Sequence, residues 1–300
     1  MQATLTRPLV AVAAVAAGLV LVPAAHAATP APSRAAAPTP SPASTAARTA
    51  AAAPLLTAAA ANHFLVNLQG STKPMSLGYN VIDVGSSTRQ VNALPTGTVG
   101  MVWLGQKCPT TADATFKAVI DRLANNPKVY GYYLSDEPHI ADCARGPAAL
   151  ETRANYIRVA SAGRQRSFIV LSKAADYKAF GPTQTRVSLY GIDPYPCSTA
   201  HPSCDISMIP DKVNKAVAYG IPRGRVVPVY QAFGQERTAG GGYYRLPSAT
   251  QLKAILQAWS AAVPDARLDY TYGWANQSSA NPTLVDTTAL QGVFKAFFAG

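Results

Sequence analysis

Eight short apolar runs recur along the chain, most with a helix-like segment before the next. They are FLVNLQ (64–69), YNVIDV (79–84), TVGMVWL (98–104), VYGYYL (129–134), SFIVLS (167–172), RVSLYGI (186–192), RVVPVY (225–230) and LDYTYGW (268–274). Most are apolar almost throughout rather than alternating, as suits strands covered on both faces in a parallel sheet. Between them, 111–126 places Phe116, Val119, Ile120 and Leu123 on one helical face behind a Thr111 cap, and 146–163 does the same with Leu150, Tyr156, Ile157 and Ala160 before stopping at Gly163. The segments 204–220, 246–263 and 287–300 read as three more helices. In 246–263, Ser248 is the cap and Leu252, Ile255, Leu256 and Trp259 form the stripe. Strand and helix in alternation predict an α/β chain folded as a (β/α)8 TIM barrel. The first helix must be short, because only residues 70–78 separate the first two strands. An open doubly wound sheet is the competing arrangement.

The barrel occupies residues 61–300, and what precedes it is of another kind. Arg7 leads into PLVAVAAVAAGLVLVPAA, and Ala25, His26 and Ala27 place small residues where a signal peptidase cuts. Residues 1–27 therefore read as a secretory signal peptide, with an uncleaved membrane anchor as the alternative. No second run is long enough to span, so no stable membrane insertion is expected after cleavage. Residues 28–60 are nearly all Ala, Pro, Ser and Thr, with little to bury, and read as a disordered linker. The protein implied is secreted and extracellular, with a linker suited to holding the domain near a cell wall. Four cysteines fit that compartment. Three pairings are open. Cys197 and Cys204 lie close enough for a local bridge, which leaves Cys108 with Cys143.

In a barrel the C-terminal ends of the strands line the functional face. Reading those ends gives Asn67, Gln69, Asp83, Trp103, Gln106, Asp136, Glu137, Lys173, Asp193, Tyr195, Gln231, Trp274, Asn276 and Gln277. Carboxylates and amides hydrogen-bond hydroxyl groups, and aromatic faces pack on the C–H faces of sugar rings. The expected ligand is a carbohydrate. Asp136, Glu137 and Pro138 stand out, because a chain with 15 acidic residues in 300 sets two of them together at the end of an aromatic strand.

YYLSDEP (132–138) resembles the fourth-strand ending of retaining barrel glycosidases, where Asn-Glu-Pro or Asp-Glu-Pro carries the acid/base glutamate. GIDPYP (191–196) and VPVYQAFG (227–234) resemble sixth- and seventh-strand endings of the glycoside hydrolase-like TIM-barrel superfamily. The resemblance implies a secreted glycoside hydrolase acting on a poly- or oligosaccharide, with Glu137 as general acid. A glycosidic oxygen is a poor leaving group until it is protonated. The same resemblance would put a nucleophilic glutamate at the end of strand seven, where this chain has Gln231. Asp193 is the expected second carboxylate, a base for water in an inverting scheme, and Asp136 the third member. Gln231, Trp274, Tyr195, Trp103, Asp83, Lys173 and Asn276 are the expected substrate contacts. The substitution at 231 also supports a rival reading, a barrel that binds carbohydrate without cleaving it.

Other chemistries find little in the sequence. There is no nucleophile elbow, HExxH, P-loop or Rossmann fingerprint, so neither a metal nor a cofactor is expected. The net charge of +11 is scattered without a basic run, so a nucleic-acid partner is not expected. No feature points to an oligomer, and a monomer is the expectation.

Overall fold

The computed structural model describes residues 61–235, 242–275 and 282–300. Eight parallel strands close into one barrel in sequence order. They are β1 His63–Leu65, β2 Val81–Val84, β3 Val99–Trp103, β4 Val129–Asp136, β5 Arg166–Leu171, β6 Leu189–Ile192, β7 Val226–Gln231 and β8 Asp269–Tyr272. Pairing of β1 with β8 closes the ring, so no strand edge is left open. The arrangement is the (β/α)8 barrel, and the open sheet is excluded.

Helices α1 Thr88–Asn92, α2 Ala114–Leu123, α3 Gly146–Ala160, α4 Ala174–Ala179, α5 Pro182–Thr185, α6 Met208–Ala218, α7 Ala249–Ala262 and α8 Thr288–Phe298 fill the connections. The short first link is a 3-10 turn, Lys73–Leu77, as its length requires. Ser248 caps α7 through a reciprocal capping box with Gln251. The cap of α2 is Asp113, whose carboxylate accepts from the Phe116 amide, and not Thr111. Two short helices, α4 and α5, lie between β5 and β6, where the sequence pattern gave no helix. Among the described residues no helix is long and apolar enough to cross a membrane.

Strand alternation sorts the core into two layers. One cluster draws on strands and their immediate flanks and includes Phe64, Met101, Tyr133, Phe168, Val170 and Tyr270. It fills the barrel, with Phe64 stacked on Tyr270 at 4.8 Å and Tyr133 edge-on to Phe168 at 4.7 Å. The larger cluster joins outward-facing strand residues such as Ile82, Tyr132, Leu134 and Ile192 to the helices. One irregularity matters for the site. The register of β4 against β5 shifts between Tyr133 and Ser135, so Leu134 is an extra residue. Such a bulge turns the residues beyond it, here Ser135, Asp136 and Glu137. Gly131 lets the strands approach upstream, since a Cβ there would lie 2.4 Å from the Arg166 carbonyl oxygen.

Candidate active site

Beyond the bulge, β4 delivers its acidic pair to the C-terminal face. The Ser135 hydroxyl donates to the Gln106 carbonyl at 2.6 Å, pinning the strand end to the neighbouring loop. The Asp136 carboxylate accepts from the Tyr133 hydroxyl at 2.6 Å. Tyr133 itself packs edge-on to the half-buried Trp103 at 4.7 Å. Glu137 takes up a left-handed backbone with φ +47°, while its amide still donates to the Val170 carbonyl at 3.1 Å. A non-glycine residue held there costs about 1–3 kcal/mol, and such strain gathers at sites where a side chain must be aimed. Tyr195 at the end of β6 is a second such residue, with φ +42°.

Asp193, just past the end of β6, is within electrostatic reach of Glu137 and is only 2 % exposed. Neither of its carboxyl oxygens meets hydrogen-bond geometry within the protein. Burial holds its carboxyl well above the usual aspartate range, and the charge of the Glu137 carboxyl adds to the effect while that of Lys212 opposes it. Lys212 from α6 comes up beneath it. Its ammonium donates to the Ser172 carbonyl at 2.9 Å and the Asp193 carbonyl at 3.2 Å. Burial lowers the Lys212 pKa, and the charges of Asp193 and Glu137 oppose that shift. Tyr177 from α4 places a buried, unbonded hydroxyl within the electrostatic reach of Asp193. For the expected base to water, Asp193 has almost no solvent face.

The folded-state pKa of Asp193 is raised, so the neutral form suits the fold and the ionised form does not. Its contribution to stability is full below the unfolded aspartate value of about 3.9 and is lost as pH rises through the folded value. Asp193→Asn, which keeps the shape and the neutrality, should therefore raise Tm more at pH 7.5 than at pH 4. Each kcal/mol recovered is worth roughly 2–4 °C in a domain of this size. Thermal unfolding at the two pH values checks this, and an equal loss at both would contradict it.

The other expected contacts divide. Gln231, an expected ligand contact, is fully buried. Its side-chain oxygen accepts from the Cys197 amide, and its nitrogen donates to the carbonyls of Cys197 and Arg245, each at 2.9 Å. It ties the loop after β6 to the loop after β7. Trp274 is 2 % exposed and belongs to the outer cluster, packed toward the helices and not on the site face. Trp103 and Tyr195 stand half-buried at the mouth, and Asp83 is half-exposed in β2. Lys173 is exposed, just ahead of α4. Asn276 and Gln277 lie outside the described residues. Both disulfides form, Cys108–Cys143 between the loops after β3 and β4, and Cys197–Cys204 within the loop after β6.

Two groups of residues escaped the sequence reading. Lys212 is one. It follows Ile209 by three and precedes Ala216 by four, so it sits on the buried stripe of α6, a position that signals a paired cation. The aromatic residues around the expected Tyr195 are the other. Tyr195 packs edge-on to Phe233 at 5.0 Å and Tyr244 at 5.5 Å, Phe233 meets Tyr272 at 5.2 Å, and Tyr243 caps Tyr244 at 5.1 Å. Tyr243 is 54 % exposed. Among the described residues no group of His, Cys, Asp and Glu is arranged to hold a metal ion.

With that geometry in place, the likeness to solved structures can be weighed. The Bacillus cereus spore cortex-lytic enzyme SleL superposes with a TM-score of 0.53 at 12% identity, covering 81% of this chain and 75% of that one. A chitinase from Bacteroides thetaiotaomicron gives 0.53 at 8% identity, over 79% of this chain and 96% of that one. A fungal endo-beta-N-acetylglucosaminidase from glycosyl hydrolase family 18 gives 0.50 at 12% identity, over 80% and 99%. At these identities the likeness is one of fold, the (β/α)8 barrel. No family model matches the chain, and no curated protein does.

Proposed function

We propose that the protein is a secreted glycoside hydrolase that cleaves a poly- or oligosaccharide, with Glu137 delivering the proton to the leaving oxygen. The observation that carries this reading is the placement of Glu137. A bulged strand and a left-handed residue aim its carboxyl toward the buried Asp193, whose ionisation burial disfavours. Proton donation by a positioned carboxyl beside a charged or buried neighbour is the chemistry glycoside cleavage requires. The aromatic rim supplies a surface for sugar C–H faces.

A screen of polysaccharides and oligosaccharides tests the proposal, with product anomers read by NMR. N-acetylated and plain glycans belong in the same panel. In substrate-assisted cleavage a group of the substrate itself stands in for the protein nucleophile. Cleavage confined to N-acetylated glycans would therefore account for glutamine at 231, whereas cleavage of plain glycans would require a second protein carboxylate. Binding without any hydrolysis would favour the rival reading, a carbohydrate-binding barrel. Support for that rival comes from the engagement of Gln231 in loop packing and the burial of Asp193.

In either reading the exposed Tyr243 ring is an outer sugar contact. Tyr243→Ala should weaken glycan binding by about 2- to 13-fold, the equivalent of ~0.5–1.5 kcal/mol for an aromatic contact, and leave Tm unchanged. Isothermal titration with the best glycan from the screen measures it. Unaltered affinity would remove Tyr243 from the site.

A further inference from the structure

We propose that the face of the barrel opposite the candidate site is a docking surface for a linear polymer that carries a phosphate at every repeat. This face is independent of the role assigned to Glu137. In a (β/α)8 barrel every loop from a helix to the next strand lies at the N-terminal end of the strands. Those loops carry Lys128 before β4, Arg164 before β5, Arg223 and Arg225 before β7 and Arg267 before β8, and Arg166 opens β5 itself. Among the described residues Asp265 is the one acid in these loops. The loops at the other end mix both signs, setting Asp136, Glu137 and Asp142 beside Lys107 and Arg145. Cations scattered along the sequence are thus gathered on one face by the topology.

A basic residue in the last turn of a helix, such as Arg122 in α2 or Arg158 in α3, answers the helix dipole. The loop arginines have no such explanation. Among the described residues Arg166, Arg225 and Arg267 form no ion pair, and Arg225 and Arg267 are exposed. Arg186, ahead of β6, is taken by Glu151 at 3.4 Å. Like charges left unpaired on one face repel, and a polyanion laid across them relieves that repulsion. A guanidinium stays charged and forks onto two phosphate oxygens at once. The cations are spread over the starts of β4, β5, β7 and β8, so a chain of anions fits them better than a single small anion. Val159 and Tyr219, exposed at the ends of α3 and α6, stand on separate helices and give no apolar stripe to enter a bilayer. Tyr219 alone is also short of the row of rings on which successive bases stack. Because β1 starts on this face, the Ala/Pro/Ser/Thr-rich segment before residue 61 joins the barrel here, and it adds Arg34 and Arg48 without an acid. A barrel held by this face keeps the candidate site turned away from its support.

The test mixes the full chain with fluorescently labelled linear polyphosphate and reads the anisotropy. With about five phosphate contacts on a flexible strand, affinity should fall roughly a hundredfold between ~50 and ~200 mM salt. Arg225→Ala combined with Arg267→Ala removes two contacts, so the slope of log affinity against log salt should flatten by about 1.4, and affinity at low salt should drop at least about tenfold. Arg145→Ala combined with Lys253→Ala removes the same charge from exposed positions off this face, and screening should hold its effect under about threefold. Thermal unfolding checks that both variants stay folded, and Arg225→Gln combined with Arg267→Gln replaces the alanine pair if that one does not. Equal losses in the two variants would reduce the effect to net charge and overturn the docking face. Failure to bind polyphosphate would overturn it too, as would tighter binding to polygalacturonate, single-stranded DNA or phosphatidylglycerol vesicles at the same concentration of charge.

Discussion

Glu137→Gln is expected to cut turnover of an oligosaccharide by about 10²–10⁴-fold, the range that general acid catalysis contributes. Glutamine has the size of glutamate and the same backbone demands, so the left-handed residue and its amide bond to Val170 survive. What it lacks is a transferable proton. Tm should therefore stay within a few degrees of the parent. A substrate with an acidic aryl leaving group supplies the internal control, since such a group departs without protonation. On that substrate the loss should be far smaller. Steady-state kinetics on both substrates, with thermal unfolding alongside, checks the prediction. Full activity of Glu137→Gln on the oligosaccharide would remove Glu137 from the acid role, and equal losses on both substrates would mark a defect in binding.

How much of this could be read from the sequence depends on the range of the interactions. The barrel was legible because its signals are local. Continuous apolar strands such as SFIVLS and amphipathic helices such as Ala249–Ala262 announce themselves within a few residues. The position of Glu137 followed from the end of β4, again a local reading. Its backbone conformation did not, because the extra residue Leu134 exists only relative to the register of β5. The burial of Trp274 and Gln231 was not legible for a related reason. A residue at a strand end looks alike in sequence whether it faces a ligand or neighbouring loops. Which it faces depends on how the chain turns next, and for Gln231 on carbonyls as far away as residue 197. Lys212 was missed because a lysine on a helix is usually solvated, and only the helical spacing of Ile209, Val213 and Ala216 shows that this one is not.

The glutamine at 231 also permits the sharpest test of how far the resemblance to retaining glycosidases extends. If position 231 were merely a lost nucleophile, Gln231→Glu would restore it at little cost. The geometry predicts the opposite. The amide nitrogen of Gln231 donates to the Cys197 and Arg245 carbonyls, and a carboxylate would set an acceptor against both. If protonated, it could satisfy only one of them. If ionised, it would be a fully buried charge with no cation bonded to it. Breaking such a buried arrangement costs about 3–5 kcal/mol, or roughly 6–20 °C in Tm at 2–4 °C per kcal/mol. The introduced carboxyl would have a folded pKa above its unfolded one, so the fold would lose stability as pH rises through the folded value. The drop in Tm should accordingly be larger at pH 8 than at pH 5. Because the same side chain joins the loops carrying Tyr195 and Tyr244, the aromatic rim should lose its sugar affinity together with the stability. Thermal unfolding at the two pH values, paired with glycan titration, measures both. A variant that is as stable as the parent and gains hydrolysis would show that Gln231 faces the substrate after all.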